Sequence, residues 1–238
     1  MADIKSILNA EKECERKTKR IFKNTIDCYD ELFTHYLHIS EKYCRAGSKK
    51  NTESPLAILL LNDKIVKALF CTSNLLKKGH YPESLSLQRE LLEAICIAEY
   101  IAKNPEASDS WIKGDHMTFA KISKKFLLFP EDGLIFGHLC DYTHTNFRSI
   151  IGEIELVESP MAMTFTFEPF FQRDIARASL SHIIQLTYRA MICYMDFTEK
   201  YYEDLDIQDI AKFRQIHEKV VTTGLYLVEK RDMLNDID

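Results

Sequence analysis

Glycine and proline are both scarce, with seven of the one and six of the other in 238 residues. These residues punctuate a chain, so few of them means few turns and long elements joined by short loops. That favours helices over many short strands. Scarce glycine also leaves little material for loops that cradle phosphate. No Walker-type loop, Gly-x-Gly-x-x-Gly turn, Gly-x-Ser-x-Gly elbow, His-Glu-x-x-His pair or kinase signature occurs. Nucleotide-dependent enzymes of the usual α/β kinds are therefore disfavoured.

Long apolar runs are missing too. The most apolar stretch, PLAILLLNDKIVKALF, is interrupted by Asn62, Asp63 and Lys64. It falls short of the roughly 20 residues that a membrane span needs. The N-terminus, MADIKSILNAEKECERK, has no apolar core of signal-peptide length. No membrane partner and no secretion by that route are expected. Clustered cysteines are absent as well. The seven stand at 14, 28, 44, 71, 96, 140 and 193, an odd and scattered set with no Cys-x-x-Cys pair. A disulfide framework or a zinc ribbon would cluster them. They read as reduced thiols in a cytoplasmic protein, mostly filling core space. The net charge of -5 gives no global pull toward phosphate backbones or anionic membranes.

What is present is helical periodicity. Residues 3–45 carry it without Gly or Pro, with Phe22, Ile26, Tyr29, Phe33, Tyr36, Leu37 and Tyr43 on one side. A second helix starts near Ser54-Pro55 and ends at Lys77-Lys78-Gly79, a basic last turn with a Gly stop. A third runs from about Pro82 to Asn104-Pro105. A fourth covers about 105–128 and is weakened at Gly114, and a fifth covers about 132–151. The alternation at Thr164-Phe165-Thr166-Phe167 then predicts a small hairpin or extended insertion near 153–168. Two long helices follow, about 169–203 and 206–235. With no repeat and no flexible linker, the expectation is one all-α domain over 1–238, a bundle of about seven helices. The long first, sixth and seventh helices are the expected dimerisation elements of a homodimer.

Within the third helix, SLQRELLEAICIAEYI raises the sharpest question. On a helical wheel, apolar residues cover well over half of its circumference, which predicts a central helix. Arg89, Glu93, Ser86 and Tyr100 form a narrow polar strip, with Glu90 beside it and Gln88 and Glu99 at one edge. The strip faces either a sliver of solvent, where Arg89 and Glu93 form an ordinary i,i+4 pair, or an internal cleft. In a cleft Arg89 would be a fixed cation with a fork of donors, suited to a carboxylate or phosphate.

The fifth helix holds FGHLCDYTHTNFRSIIG. His138, Asp141 and His144 stand three apart, with Tyr142, Asn146 and Arg148 alongside. Two or three of these could share a metal with Glu93. However, spacing of three drifts by about 60° per step, so one helix face does not complete a site. No metal and no cofactor are assigned. The two segments together, with Arg89-x-x-x-Glu93 followed by the Tyr142/His144 stretch, resemble a family of uncharacterised bacterial all-helical proteins. The resemblance covers roughly residues 56–150. It implies a helical bundle in a bacterial cytosol, with stress response or phage defence as the expected setting. It also implies a shared polar pocket of Arg89, Glu90, Glu93, Tyr142, His144 and Asn146 for a small anionic ligand or protein partner.

A second, looser resemblance starts from FQRDIARASLSHII. Arg177 and His182 have four residues between them, similar to the signature of HEPN ribonucleases. That implies metal-independent RNA cleavage, with His as acid/base and Arg stabilising phosphate, usually in a dimer. On one straight helix the two side chains stand about 140° apart. Finally, Asp27, Glu31, His35, His38 and Lys42 form a strip opposite the aromatic face of the first helix. A divalent metal site is one reading of this strip, and a solvated face is the favoured one. Lys12, Arg16, Lys19, Arg20 and Lys23 likewise read as a wet basic side.

Overall fold

The computed structural model describes residues 3–44, 53–115, 117–123, 133, 135–137, 139–140, 154–156, 163–165, 168–201 and 205–222. The architecture is an all-α bundle. Its helices are α1 (Ile4–Ile21), α2 (Lys23–Cys44), α3 (Glu53–Lys77), α4 (Tyr81–Lys103), α5 (Ala107–Ile112), α6 (Phe119–Ser123), α7 (Arg173–Tyr201) and α8 (Ile207–Thr222). Residues 135–137 and 139–140 are helical as well. Two three-residue strands, β1 (Ile154–Leu156) and β2 (Met163–Phe165), pair antiparallel with Ile154 opposite Phe165. The residues joining them lie outside the described ones. No helix among the described residues is long and apolar enough to cross a membrane.

The expected first helix is two. Asp3 caps α1 by accepting the Ser6 N–H at 2.7 Å, with Ser6 Oγ answering on the Asp3 N–H. At Phe22 the backbone leaves the helical region (φ -113°, ψ 29°) and α2 begins one residue later. The break has a packing cause. Phe22 turns its ring into a small second core with Ile26, Leu76, Tyr81, Ala176 and Leu180. From there on, α2 buries Tyr29, Leu32, Tyr36, Ile39 and Tyr43 in the main core.

α3 and α4 form a helical hairpin closed by a Schellman turn. The Gly79 N–H donates to Leu76 O at 3.1 Å and the His80 N–H to Leu75 O at 3.0 Å, with Gly79 at φ +90°. α4 carries Pro82 in its first turn and ends at Asn104, whose N–H reaches Tyr100 O. The expected fourth helix is broken at Gly114 (φ +91°) into α5 and α6. α7 starts at Arg173, later than the periodicity implied, because the stretch before it ties elsewhere: the Gln172 N–H donates to the Tyr81 hydroxyl at 3.2 Å. The sites expected at 141–151, and the last helix beyond 222, lie outside the described residues.

α4 and α7 are the central pair. α7 packs on α2, α3 and α4, and buries Ala176, Leu180, Ile183, Ile184, Ala190, Met191, Tyr194 and Phe197. α8 lies on α2.

Gly79 is the tightest point of this frame. A Cβ there would stand 2.9 Å from Cys14 Sγ and 3.3 Å from Pro169 Cβ, while at Gly114 it would meet nothing within 4 Å. Both glycines have positive φ, so both substitutions carry a backbone cost, but only the first adds a clash. Gly79→Ala is expected to lower stability by about 2–4 kcal/mol and Gly114→Ala by about 1 kcal/mol, measured by urea unfolding.

Candidate functional site

Thirteen residues of α4 are buried, which leaves it very little solvent-facing surface. Each polar group it carries must therefore find a partner on a neighbouring element. At its N-terminal end, Gln88 is fully buried and donates from Nε2 to Ser179 Oγ of α7 at 2.6 Å. Ser84 Oγ donates to the Thr72 carbonyl of α3 at 3.2 Å. At its C-terminal end, Glu99 meets Arg189 of α7 in a two-pronged pair. Arg189 Nε donates to Oε1 at 2.6 Å and Nη2 to Oε2 at 2.5 Å, with Cys96 Sγ accepting at 3.6 Å. Both side chains are nearly enclosed, at 10% and 14% exposure. Sequence reading took Glu99 as an edge interruption and did not single out Arg189. No local pattern joins residues 90 positions apart.

The narrow strip of α4 is half-buried rather than wet. Arg89 is 24% exposed and Glu93 21%. Their closest approach is 3.8 Å, from Nη2 to Oε2, too long for a strong hydrogen bond. Glu93 is engaged elsewhere, since its Oε1 accepts the Phe119 N–H at 3.0 Å where α6 begins. The Arg89 guanidinium lies over the Phe136 ring, 4.8 Å from its centre, and Phe136 stacks flat on Phe119 at 4.1 Å. Such a cation–ring contact holds the guanidinium without consuming its N–H donors. Arg89 Nε is buried and, among the described residues, has no hydrogen-bond partner.

Of the residues predicted for this site, Arg89 and Glu93 are together. Glu90 is exposed on the flank of the strip. Tyr142, His144 and Asn146, like His138, Asp141 and Arg148, lie outside the described residues. Phe119 and Phe136 were missed as site residues; the signal available was that Phe136 opens the same FGHLCDYTHTNF stretch. No group of three or more potential metal ligands occurs among the described residues.

Arg177 and His182 fall in regular helix, since α7 is continuous from Arg173 to Tyr201. Arg177 is exposed and His182 half-buried. The pair keeps its separation of about 140°, so one copy of the chain does not bring the two onto one face.

The strip on α2 is only partly solvated: Asp27, His38 and Lys42 are exposed as expected, while Glu31 is half-buried and His35 buried. α8 docks on it through charge. Glu31 binds Lys212 and Lys219. Asp209, nearly buried, takes Lys42 at 2.7 Å, His38 at 3.4 Å and the Tyr43 hydroxyl at 3.2 Å. The His35 ring, also buried, stands 3.1 Å from the Asp209 carbonyl, which fixes Nε2 as the donor. Burial pushes the His35 pKa below the ordinary value, outweighing Asp209. Lys212 and Lys219 hold the Glu31 carboxyl below its ordinary value. Asp27, His38 and Lys42 of this strip stay exposed, Asp27 paired with Lys23. The basic side of α1 is wet as expected, with Arg16 on Glu13 and Lys19 on Glu15.

No protein-family model, curated protein or solved structure matches this chain.

Two outcomes are expected. Arg189→Met takes the two-pronged partner from the nearly enclosed Glu99 carboxylate, and is expected to cost about 3–5 kcal/mol in chemical unfolding; adding Glu99→Leu recovers most of that loss. The α2–α8 seam is expected to weaken on acidification. His35 has a depressed folded pKa, so its contribution is complete above the unfolded value near about 6.5 and declines as pH falls through the folded one. Glu31, also depressed, adds its loss below its unfolded value of roughly 4.3. Hydrogen exchange of α8 amides, corrected for intrinsic rates, should show the first step in the wild type and not in His35→Gln.

Proposed function

We propose that this protein is a binding or regulatory helical module, and that the α4 strip receives a small anion with a flat apolar part. The observation that carries this reading is the state of Arg89. Its guanidinium is fixed over Phe136, its Nε has no acceptor among the described residues, and Glu93 gives its Oε1 to the Phe119 N–H and keeps its Oε2 3.8 Å away. A cation held in place with donors to spare is suited to a carboxylate or phosphate. The stacked rings of Phe119 and Phe136 supply a wall for an apolar or aromatic portion. The setting, bacterial stress response or phage defence, follows from the family resemblance alone.

The test is calorimetry with phenyl phosphate, benzoate and inorganic phosphate. Phenyl phosphate should bind more tightly than inorganic phosphate. Arg89→Lys, which loses the fork of donors, should weaken it by about tenfold, and Arg89→Ala should abolish binding without unfolding the protein. Silence from all three probes with the wild type counts against the reading. RNA cleavage in EDTA by the wild type, lost in His182→Ala, would establish the ribonuclease alternative instead.

A further inference from the structure

α3 buries one face in the bundle, through Ile58, Leu61, Ile65, Leu69 and Leu76. Its outer face is unusual for a solvent side. Leu56, Leu60 and Phe70 are 48%, 51% and 59% exposed. Between them lie Asp63 and Lys67, exposed and paired with each other at 2.7 Å, and Asn74 follows, also exposed. Positions 56, 60, 63, 67, 70 and 74 alternate steps of four and three. That is the spacing of a coiled-coil seam, here about 27 Å long and turned away from the chain's own core.

We infer that this seam is the contact between two copies of the chain, packed with α3 antiparallel to α3. The charge pattern selects that partner and that register. A two-fold contact is self-complementary, so residue i meets j and j meets i. Centred between residues 60 and 70, the two-fold sets Leu60 opposite Phe70 and Asp63 opposite Lys67. The outer layer sets Leu56 opposite Asn74. Every apolar residue in the two inner apolar layers then meets an apolar one, and each charge in the central layers meets its opposite, twice by symmetry. A parallel arrangement in register would instead set Asp63 on Asp63 and Lys67 on Lys67, so like charges reject it. Polar residues inside such a seam fix register and orientation at some cost in affinity. A single helix pair is also a small interface, so the dimer is reversible. This seam is independent of the α4 strip, which faces α6 and Phe136.

Sedimentation velocity over a broad concentration range tests the inference. The wild type should show a monomer–dimer equilibrium. Asp63→Lys alone and Lys67→Asp alone each juxtapose like charges, and each should weaken association by at least about tenfold. The double variant Asp63→Lys/Lys67→Asp restores opposite charges across the two-fold and should dimerise again. Both positions are solvent-exposed in the monomer, so circular dichroism should show all variants folded. A wild type that stays monomeric throughout, a dimer indifferent to either single reversal, or a double variant that fails to recover would each overturn it.

Discussion

Everything in this bundle is arranged around the burial of α4. A helix enclosed on most sides loses stability for each polar group left unanswered, because the desolvation of an amide or carboxylate is not returned by water. The answers come from three different elements. Thr72 of α3 and Ser179 of α7 take the polar groups near its start, Arg189 of α7 takes Glu99 near its end, and the first N–H of α6 takes Glu93. Each pairing fixes a neighbour at one height along α4, so the polar contacts set register where apolar packing alone would tolerate sliding. Two buried atoms of α4, Gln88 Oε1 and Arg89 Nε, have no hydrogen-bond partner among the described residues. The Arg89 guanidinium is held by the Phe136 ring and, among the described residues, not by hydrogen bonds.

The α2–α8 seam shows the same chemistry used for another end. Here the charges lie near the surface, several to a cluster, and join a helix that shares only part of its length with the core. Asp209 gathers a lysine, a histidine and a tyrosine from one face of α2. Glu31 draws two lysines from α8. Individually such pairs contribute little in water, and their combined effect rests on the burial of Asp209 and His35 beneath them. Titratable groups thus make up much of the attachment of α8 to α2.

Much of the fold was legible because helix ends are written locally. Gly79, Pro82, Asn104 and Gly114 each mark a boundary through their own backbone preferences, and the structure breaks at each. The enclosed position of α4 was legible from its apolar circumference. The split at Phe22 was not, since nothing at that position forbids a helix; the ring leaves the axis because a pocket formed by Leu76, Tyr81 and Leu180 exists for it. The cover over Glu31 and His35 was not legible, because hydrophilic residues facing a charged helix look the same in sequence as hydrophilic residues facing water. The Arg89–Glu93 half of the candidate site was visible as an i,i+4 pair, while its aromatic wall was not.

By itself the sequence determined the helical class, most helix limits and the enclosed position of α4, since these follow from periodicity and from the dihedral limits of glycine and proline. Only the tertiary structure decided which polar residues became partners. Glu99 and Arg189, or Asp209 and His38, are brought together across the fold by the packing of apolar faces, and hydrogen bonding selects among what that packing brings within reach. The same packing set Glu93 Oε1 on the Phe119 N–H while its Oε2 stays 3.8 Å from Arg89 Nη2, and left Leu56, Leu60 and Phe70 facing outward on α3.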